Sequence, residues 1–330
     1  MNGGTGVGAR RQVAAPSPPA LQVVDFARRA PSIHNTQPWL WRVRGDRLDL
    51  YADRRRQLRA TDPTGRNLTI SCGAALAHAK VAAAAAGWGA DVLAPDPADT
   101  DHLAGLVLRP GRATPAAQDD HRLLGVRRTD RRRFTSWPIP PERLDRLLRA
   151  IDLPGVSVVS VTDRADRLRL ELLVGQALRR ERTTPGYLEE QSEWMERGPW
   201  DGVPADAVGG GGRRGRPPSR FDDEAEPDVQ DQVRSTDGIL VLCADTDEPT
   251  SWLRIGELLC RLWTRAMREG LSVVPLSQVV EIDETRETLR HQLLDRPRYP
   301  ELLVRIGWQE IARSPLPPTP RRPLSDILLD

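Results

Sequence analysis

Helical and strand-like patterns of apolar residues alternate along most of the chain. In its first part, a helical pattern stops before Pro31, and alternating strands with a Gly-Asp turn between them begin after Pro38. A long alanine-rich helix is expected to follow the start signal at Thr61-Asp62-Pro63. The predicted elements are a helix at Leu21–Ala27, a hairpin of Trp39–Arg44 with Arg47–Ala52, a helix through Asn67–Gly87, and strands at Ala90–Ala94 and Gly105–Arg109.

The second part of the chain repeats this alternation after a connection at Pro110–Pro115. Gly73 to Gly87 and Gly256 to Gly270 enclose helices of the same length, each followed by a short strand. Such self-similarity predicts two related halves, at residues 20–115 and 120–330. The predicted elements of the second half are helices at Glu142–Ile151, Ala165–Arg182, Ile255–Glu269 and Asp283–Leu294, and strands at Val156–Val161, Gly238–Ala244 and Leu302–Trp308.

Two stretches do not fit either pattern. Residues 1–19 are rich in Gly, Ala and Pro and are expected to be a disordered start. Residues 184–232 form an insertion with aromatic segments, Tyr187–Met195 and Trp200–Pro204, followed by linker-like segments, Gly209–Arg216 and Asp222–Asp228. The insertion is either a lid over a cleft or a mobile surface excursion.

Composition excludes several classes of protein. The 48 basic residues are nearly matched by 46 acidic ones, which argues against a nucleic-acid partner. No apolar run reaches the roughly 18 residues of a membrane span, so no membrane partner is expected. The three cysteines lack a Cys-x-x-Cys spacing and predict reduced core thiols without a metal site. We therefore expect a cytoplasmic protein.

The loop between Pro31 and Pro38 is the strongest candidate for a binding site. It holds Ser32, His34 and Asn35, together with Gln37, between two prolines that restrict the unfolded chain. A short loop fixed in this way can present several hydrogen-bonding groups to a ligand. Trp39 and Trp41, on the strand that follows, are more simply core residues, and so is His78 in the alanine-rich helix.

Residues 30–39, Ala-Pro-Ser-Ile-His-Asn-Thr-Gln-Pro-Trp, closely resemble the Ala-Pro-Ser-Ser-x-Asn-x-Gln-Pro-Trp signature of the FMN-dependent nitroreductase family. The Ile33-His34 pair resembles the tandem, Acg-type branch from actinobacteria. The resemblance implies an α+β fold in which two nitroreductase-like halves, each a mainly antiparallel sheet flanked by helices, form a pseudo-dimer. It also implies that the loop borders the flavin ring through Pro31, Ser32, Ile33, His34, Asn35 and Gln37, the last of which could instead brace the loop.

An arginine-rich segment at Val126–Phe134 supplies the complementary part of such a site. By itself it could be a solvated basic turn, but it resembles the Arg-Arg-Ser-x-Arg-x-Phe segment that holds the FMN phosphate in nitroreductases. Guanidinium groups suit a phosphate because they donate paired hydrogen bonds to its oxygens. The resemblance assigns the phosphate to Arg127, Arg128, Thr129 and Arg131, the ring edge to Leu276 and Ser277, and a returning basic tail to Arg321 and Arg322.

The two halves thus carry different portions of one flavin site. This distribution predicts a pseudo-dimeric monomer with one FMN, although a homodimer assembled in trans would also combine the portions. If FMN is bound, chemistry occurs at its N5 atom with NAD(P)H as electron donor, so no catalytic side chain is required. The predicted function is reduction of a small-molecule acceptor, a nitro-compound or quinone. The alternative is an FMN-sequestering protein with little turnover, favoured if Trp194 or Trp200 covers the ring.

Overall fold

The computed structural model describes residue 15 and residues 17–132, 134–195, 197–203, 238–294, 297–310 and 316–330. Most of the predicted disordered start and both predicted linker segments, 209–216 and 222–228, lie outside the described residues. The described residues form two sheets and the helices packed on them. The α+β class predicted from the sequence is confirmed.

The first sheet contains the predicted hairpin at its centre. Trp39, Trp41, Leu48 and Leu50 point into the core with no exposed surface, while intervening residues of the first strand are partly exposed. This alternation is the reason that the segment forms a half-buried strand. The strands are β1 (Trp39–Arg44), β2 (Arg47–Ala52), β3 (Trp88–Leu93), β4 (His102–Pro110) and β9 (Leu328–Leu329), in the order β3-β4-β2-β1-β9.

The last strand, β9, belongs to this first sheet although it lies at the end of the chain. It pairs in parallel with β1, with Leu328 beside Trp41 and Leu329 beside Arg42. All other described strand pairs are antiparallel. The tail of the predicted second half therefore adds a strand to the sheet that the predicted first half forms.

The second sheet is built around an apolar strand. Residues 239–244 are buried on both faces, as expected for a central strand covered by helices on each side. The strands are β5 (Val156–Val161), β6 (Gly238–Ala244), β7 (Leu271–Leu276) and β8 (Tyr299–Trp308), in the order β5-β6-β8-β7. The chain between β7 and β8 forms two helices, so the apolar run Leu271–Val280 of the sequence is a strand only as far as Leu276.

The described helices include all the predicted ones, with the helix predicted from Ile255 starting at Pro249, and two that were not predicted, Pro115–Val126 and Gln278–Glu281. They are α1 (Pro18–Ala27), α2 (Arg66–Ala85), α3 (Pro115–Val126), α4 (Pro141–Arg149), α5 (Arg164–Thr183), α6 (Tyr187–Met195), α7 (Pro249–Arg268), α8 (Gln278–Glu281) and α9 (Asp283–Leu293). Helix α3 was not predicted, because only Leu123 and Leu124 are buried and the helix shows no apolar period. Its start signal was present: Thr114 caps the helix and Pro115 occupies its first turn.

Helices α2 and α7 cross at the centre of the molecule with their backbones in contact. A Cβ atom at Gly73 would lie 2.0 Å from the carbonyl oxygen of Leu253, and one at Gly256 would lie 2.1 Å from that of Ile70. Only glycine permits this approach. Both helices are 20 residues long and are followed by a glycine with positive φ, Gly87 or Gly270. The crossing glycines occupy matching places in the predicted repeat, whose assignment to two nitroreductase-like halves stays a prediction.

Helix α2 is also long and apolar enough to cross a membrane. However, 78% of its apolar window is buried inside the protein, as expected for a central core helix. The side chain of His78 on this helix has no exposed surface, and burial lowers its pKa to about 3. The predicted core assignment of His78 is confirmed, and so is that of the three cysteines, which are buried free thiols.

Candidate functional site

The loop between Pro31 and Pro38 has an unusual backbone. Three residues other than glycine have positive φ angles: His34 at 43°, Asn35 at 54° and Gln37 at 48°. Each such residue costs on the order of 1 kcal/mol or more and persists only where surrounding contacts impose it. The loop therefore depends on contacts with the rest of the molecule for its conformation.

Hydrogen bonds from three parts of the chain supply these contacts. The Ser32 hydroxyl accepts a hydrogen bond from the Gln37 backbone N–H at 2.9 Å, and the Ser71 hydroxyl of α2 accepts one from Ile33 N–H at 3.2 Å. The Gln37 amide donates to Trp200 O at 2.8 Å and accepts from Arg322 N–H at 2.8 Å. Gln37 thus ties the loop to the aromatic insertion and to the tail.

Gln37 and Arg322 consequently hold the loop in place and do not line the cleft described below. Gln37 has no exposed surface, and the Arg322 guanidinium donates to Gln37 O at 3.0 Å and to Asp326 O at 2.6 Å. The bracing alternative for Gln37 agrees with these contacts. A phosphate contact for Arg322 finds no support in them, because its donors are turned to backbone carbonyls.

We expect Gln37→Ala to lower the free energy of unfolding by about 2–3 kcal/mol. The substitution leaves the buried Arg322 N–H without its partner, which costs roughly 1–3 kcal/mol, and removes the partly buried hydrogen bond to Trp200 O. Urea denaturation measures the change, with Gln118→Ala on the exposed face of α3 as the control. A loss below about 1 kcal/mol would show that the loop does not depend on this side chain.

Two adjoining pockets lie between the loop and the arginine-rich segment, and we describe them together as a cleft with two ends. The two ends share Pro31, Ser32, Thr129 and Arg131 as common walls. The larger end, of about 680 Å3 including space open to solvent, is named the apolar end after its aliphatic walls, although polar groups line it to a similar extent; it is lined further by Ile33, His34, Asn67, Ile70, Ser71, Ala74, Leu259, Pro275, Ser277 and Leu302. The smaller end, of about 520 Å3, is the basic end; it is lined further by Asn35, Arg127, Arg128, Val203, Leu316, Pro317 and Thr319.

The basic end contains a buried arginine, Arg127, that has no ion pair among the described residues. Arg127 is 5% exposed and stacks over the Trp263 ring, with 4.4 Å from its Cζ to the ring centroid. Its Nε atom, like that of Arg321 close by, is buried and has no hydrogen-bond partner among the described residues. No described carboxylate forms an ion pair with Arg127, Arg128 or Arg321. A bound anion would satisfy these donors.

The pKa values of Arg127 and Arg321 are lowered, which agrees with the lack of negative charge around them. Burial lowers the pKa of Arg127 to about 10, and Arg128 beside it lowers it further. Burial also lowers the pKa of Arg321 to about 9, with Arg127 and Arg128 as the nearest charges acting in the same direction. Like charges in a low dielectric repel strongly, so the basic end has a strong attraction for an anion.

The structure separates the predicted site residues into two groups. Pro31, Ser32, Ile33, His34, Asn35, Arg127, Arg128, Thr129, Arg131 and Ser277 line the cleft. Leu276 does not line it. Arg321 lies just outside and donates to Asn35 Oδ1 at 3.1 Å, Thr319 Oγ1 at 2.6 Å and Pro320 O at 2.9 Å, so its Nε is the donor left without a partner among the described residues. Asn35 is found at the basic end and not beside the predicted ring position, because its amide is also held by Gly202 O at 2.9 Å.

The sequence reasoning missed several lining residues, among them two polar residues of α2. Asn67 and Ser71 lie one turn apart on α2 and present polar groups to the apolar end. Their spacing of four residues, within a helix otherwise rich in alanine and leucine, was the available signal. It could not be used without knowing that this face of α2 borders a cleft.

The aromatic insertion is described as far as residue 203, without residue 196. Trp194 is 3% exposed and packs against the Arg56 and Arg197 guanidiniums, and Trp200 is 54% exposed. Neither tryptophan lines the cleft in the described part of the chain. Only Val203 of this segment reaches the basic end.

Comparison with known proteins gives relatives along nearly the whole chain. No family profile matches. A Mycobacterium tuberculosis protein named "Putative NAD(P)H nitroreductase" is 38% identical over 321 residues, which cover 93% of this chain and 90% of the relative. The "Putative NAD(P)H nitroreductase acg" of the same organism is 32% identical over 328 residues, covering 92% of this chain and 93% of that protein.

Solved structures similar to this chain include two proteins described as nitroreductases. The FMN-dependent nitroreductase NfnB of Mycobacterium smegmatis, solved with NADPH, is 18% identical and covers 64% of this chain and 97% of its own, with a TM-score of 0.46. The FMN- and NADPH-dependent NfnB of a Sphigopyxis strain is also 18% identical, with the same coverage and a TM-score of 0.41. From the identity to the M. tuberculosis relatives along nine-tenths of its length, the chain belongs to the nitroreductase-like family that includes Acg.

Proposed function

We propose that the cleft binds one FMN and that the protein is an NAD(P)H-dependent oxidoreductase that reduces nitro-compounds or quinones. The observation that carries this proposal is that the basic end, beside the buried Arg127 without an ion pair among the described residues, shares four walls with a larger end that has aliphatic walls. FMN has the matching design, with a phosphate at one end and a flat heteroaromatic ring at the other. The names of the relatives, NAD(P)H nitroreductases, support the same activity.

At the basic end, Arg127, Arg128 and the Thr129 hydroxyl would hold the phosphate, with Arg321 close behind them. Charge-assisted hydrogen bonds contribute roughly 1.5–3 kcal/mol each, so three contacts supply on the order of 5–9 kcal/mol before ordering costs. The Arg127 guanidinium is already fixed over Trp263, at 4.4 Å, which reduces the entropy lost on binding. Tighter binding than this must come from the apolar end.

At the apolar end, aliphatic walls from Ile33, Ile70 and Leu259 would pack on the ring, and polar groups of Ser32, Asn67 and Ser277 lie at its borders. A bound flavin supplies the redox chemistry, since it accepts hydride from a nicotinamide at N5 and passes electrons to an acceptor. The residues of the cleft position the ring and exclude water. We propose no metal site and no catalytic side chain.

The walls of the cleft come from both predicted halves. The loop and α2 belong to the first half, whereas the arginine segment, Leu259 on α7 and Ser277 belong to the second. This division favours a pseudo-dimeric monomer that builds one complete site, with small molecules as its only required partners. We place such an enzyme in the cytoplasm.

The sequestering alternative required Trp194 or Trp200 to cover the ring. In the described residues, Trp194 is packed between two arginines and Trp200 lies away from the cleft lining. We therefore favour turnover over storage.

Purification, chromatographic identification of the bound flavin and stopped-flow reduction test the proposal together. We expect FMN in the purified protein, rapid anaerobic bleaching by NADPH or NADH, and reoxidation by a quinone or nitro-aromatic acceptor. Failure to bind FMN after reconstitution would overturn the assignment of the cleft. Binding without bleaching over minutes would overturn the enzyme activity and favour sequestration.

A further inference from the structure

A cluster of charged side chains, most of them buried, adjoins the apolar end of the cleft. It brings together three carboxylates and two guanidiniums from five elements of both predicted halves. Its described members are Asp62 before α2, Arg66 on α2, Asp247 before α7, Arg286 on α9 and Glu301 on β8. None of these residues belongs to the lining of the cleft.

Glu301 is at the centre of this cluster and has no exposed surface. The Arg286 guanidinium donates to Glu301 at 2.9 Å and to Asp247 at 2.6 Å, and Arg66 Nε lies 3.7 Å from Glu301. Arg66 donates a further hydrogen bond to Val280 O. The other carboxylate oxygen of Glu301, Oε1, is buried without a hydrogen-bond partner among the described residues.

Asp247 is partly exposed, so water stabilises its charge, whereas Asp62 and Glu301 are buried, and a buried carboxylate without full compensation is costly. Burial raises the pKa of Glu301 to about 8, against the opposing effect of Arg286 and Arg66, and Asp247 raises it too. Burial raises the pKa of Asp62 to about 6. The neighbouring Cys243 thiol stays neutral, since burial raises its pKa to about 12, and Asp283 beside Arg286 is exposed. Glu301 therefore holds the excess proton at neutral pH.

The cluster meets the wall of the cleft at three points. Asn67, next to Arg66, lines the apolar end and its amide donates to Glu281 at 3.4 Å. Leu302, next to Glu301, lines the same end. Ser277, also in the lining, immediately precedes helix α8, which contains Val280, the acceptor of Arg66. One layer of residues therefore separates the cluster from the apolar end. A change of charge in the apolar end changes the electrostatic potential at the cluster.

We propose that Glu301 is a positioning residue for the redox reaction: in alkaline solution, where its carboxyl group can ionise, the group binds a proton when negative charge enters the apolar end and releases it when that charge leaves. The inference rests on the proposed function, since it requires flavin in the cleft. Hydride transfer from NAD(P)H adds two electrons and one proton to the cleft, which gains one negative charge as NAD(P)⁺ departs. The compensating proton comes from water and is returned when the acceptor removes the electrons.

The size of the effect follows from Coulomb's law. A unit charge about 10 Å away in an effective dielectric near 20 changes a proton affinity roughly tenfold. By linkage, proton binding by Glu301 then changes the affinity of the flavin for an electron pair by the same factor. For a two-electron couple, a tenfold change corresponds to about 30 mV.

The midpoint potential of bound FMN, measured from about pH 6 to about pH 10 in the wild type and Glu301→Gln, tests the proposal. We expect equal potentials near pH 6, where Glu301 is protonated, and a wild-type potential about 30 mV lower well above pH 8. Glu284→Gln, an exposed position on α9 paired with Arg180, is the control and should follow the wild type. Parallel curves for wild type and Glu301→Gln would overturn the proposal.

A second variant keeps the test decisive if Glu301→Gln does not fold. Asp247→Asn removes a negative neighbour and so lowers the pKa of Glu301. The fall of the flavin potential that ionised Glu301 causes should then begin at a lower pH in Asp247→Asn than in the wild type. An unchanged pH dependence in Asp247→Asn would also contradict the coupling.

Unfolding of the flavin-free protein distinguishes failure of this inference from failure of the proposed function. Glu301 has a raised pKa in the folded state, so folding retains a proton that the unfolded chain releases above about pH 4.5. The free energy of unfolding should therefore fall as pH rises from about 4.5 through 8, and this fall should be smaller in Glu301→Gln. Identical profiles would refute the proton on Glu301, whether or not FMN binds.

Discussion

Arg127→Ala is expected to weaken FMN binding by roughly 30- to 1,000-fold, which corresponds to about 2–4 kcal/mol. The guanidinium is buried at the basic end, fixed over Trp263, and has an unpartnered Nε atom, so it is organised for an anion before the anion arrives. Its removal deletes charge-assisted hydrogen bonds and leaves a cavity beside the phosphate. Fluorescence titration of the flavin-free protein with FMN measures the change.

Two further variants separate the role of Arg127 from a general loss of positive charge. Arg127→Lys keeps the charge but not the planar fork of donors, so we expect an intermediate loss of affinity. Arg122→Ala removes an exposed arginine of α3 that is paired with Asp119, and should leave FMN affinity unchanged. Equal affinities for Arg127→Ala and Arg122→Ala would contradict the assignment of the phosphate to the basic end.

Gly256→Ala is expected to destabilise the protein by about 4 kcal/mol or more, although it adds a single methyl group. A Cβ atom at this position would lie 2.1 Å from Ile70 O and 2.5 Å from Ala74 N, both of which are backbone atoms of α2. Neither helix can relieve the clash by a change of side-chain rotamer, so the two helices must move apart. Guanidinium chloride denaturation measures the loss.

The same substitution at Gly125, in helix α3, is the matched control. A Cβ atom there would meet only Phe26, at an ordinary 3.7 Å, so we expect little loss of stability. Because Ile70 and Ala74 also line the apolar end, Gly256→Ala should weaken FMN binding as well. Stability within about 1 kcal/mol of the wild type would show that the crossing is looser than the structure describes.

Local signals in the sequence were sufficient for most of the fold. The hairpin of β1 and β2 follows from alternation and a Gly-Asp turn, and α2 from its alanine content and flanking signals. Helix α3 and strand β9 were not predicted, because neither has a strong local signal in the sequence. The first has few buried residues, and the second is a two-residue strand that exists only because β1 is beside it.

The candidate site was predictable as a set of motifs but not as a geometry. The sequence placed the proline-bounded loop and the arginine segment in one site, and both line the cleft. It could not show that Asn35 turns toward the basic end, or that Gln37 and Arg322 bind each other. These positions depend on contacts between residues about 285 apart in the chain.

The number of FMN molecules bound per chain, measured together with the mass of the complex in solution, tests most directly whether two unlike halves close around one flavin. Titration of flavin-free protein combined with sedimentation should give one FMN in a monomer of 36.7 kDa. Two FMN per chain, binding only in a dimer, or no binding would contradict a single site built by the loop of one half and the arginines of the other.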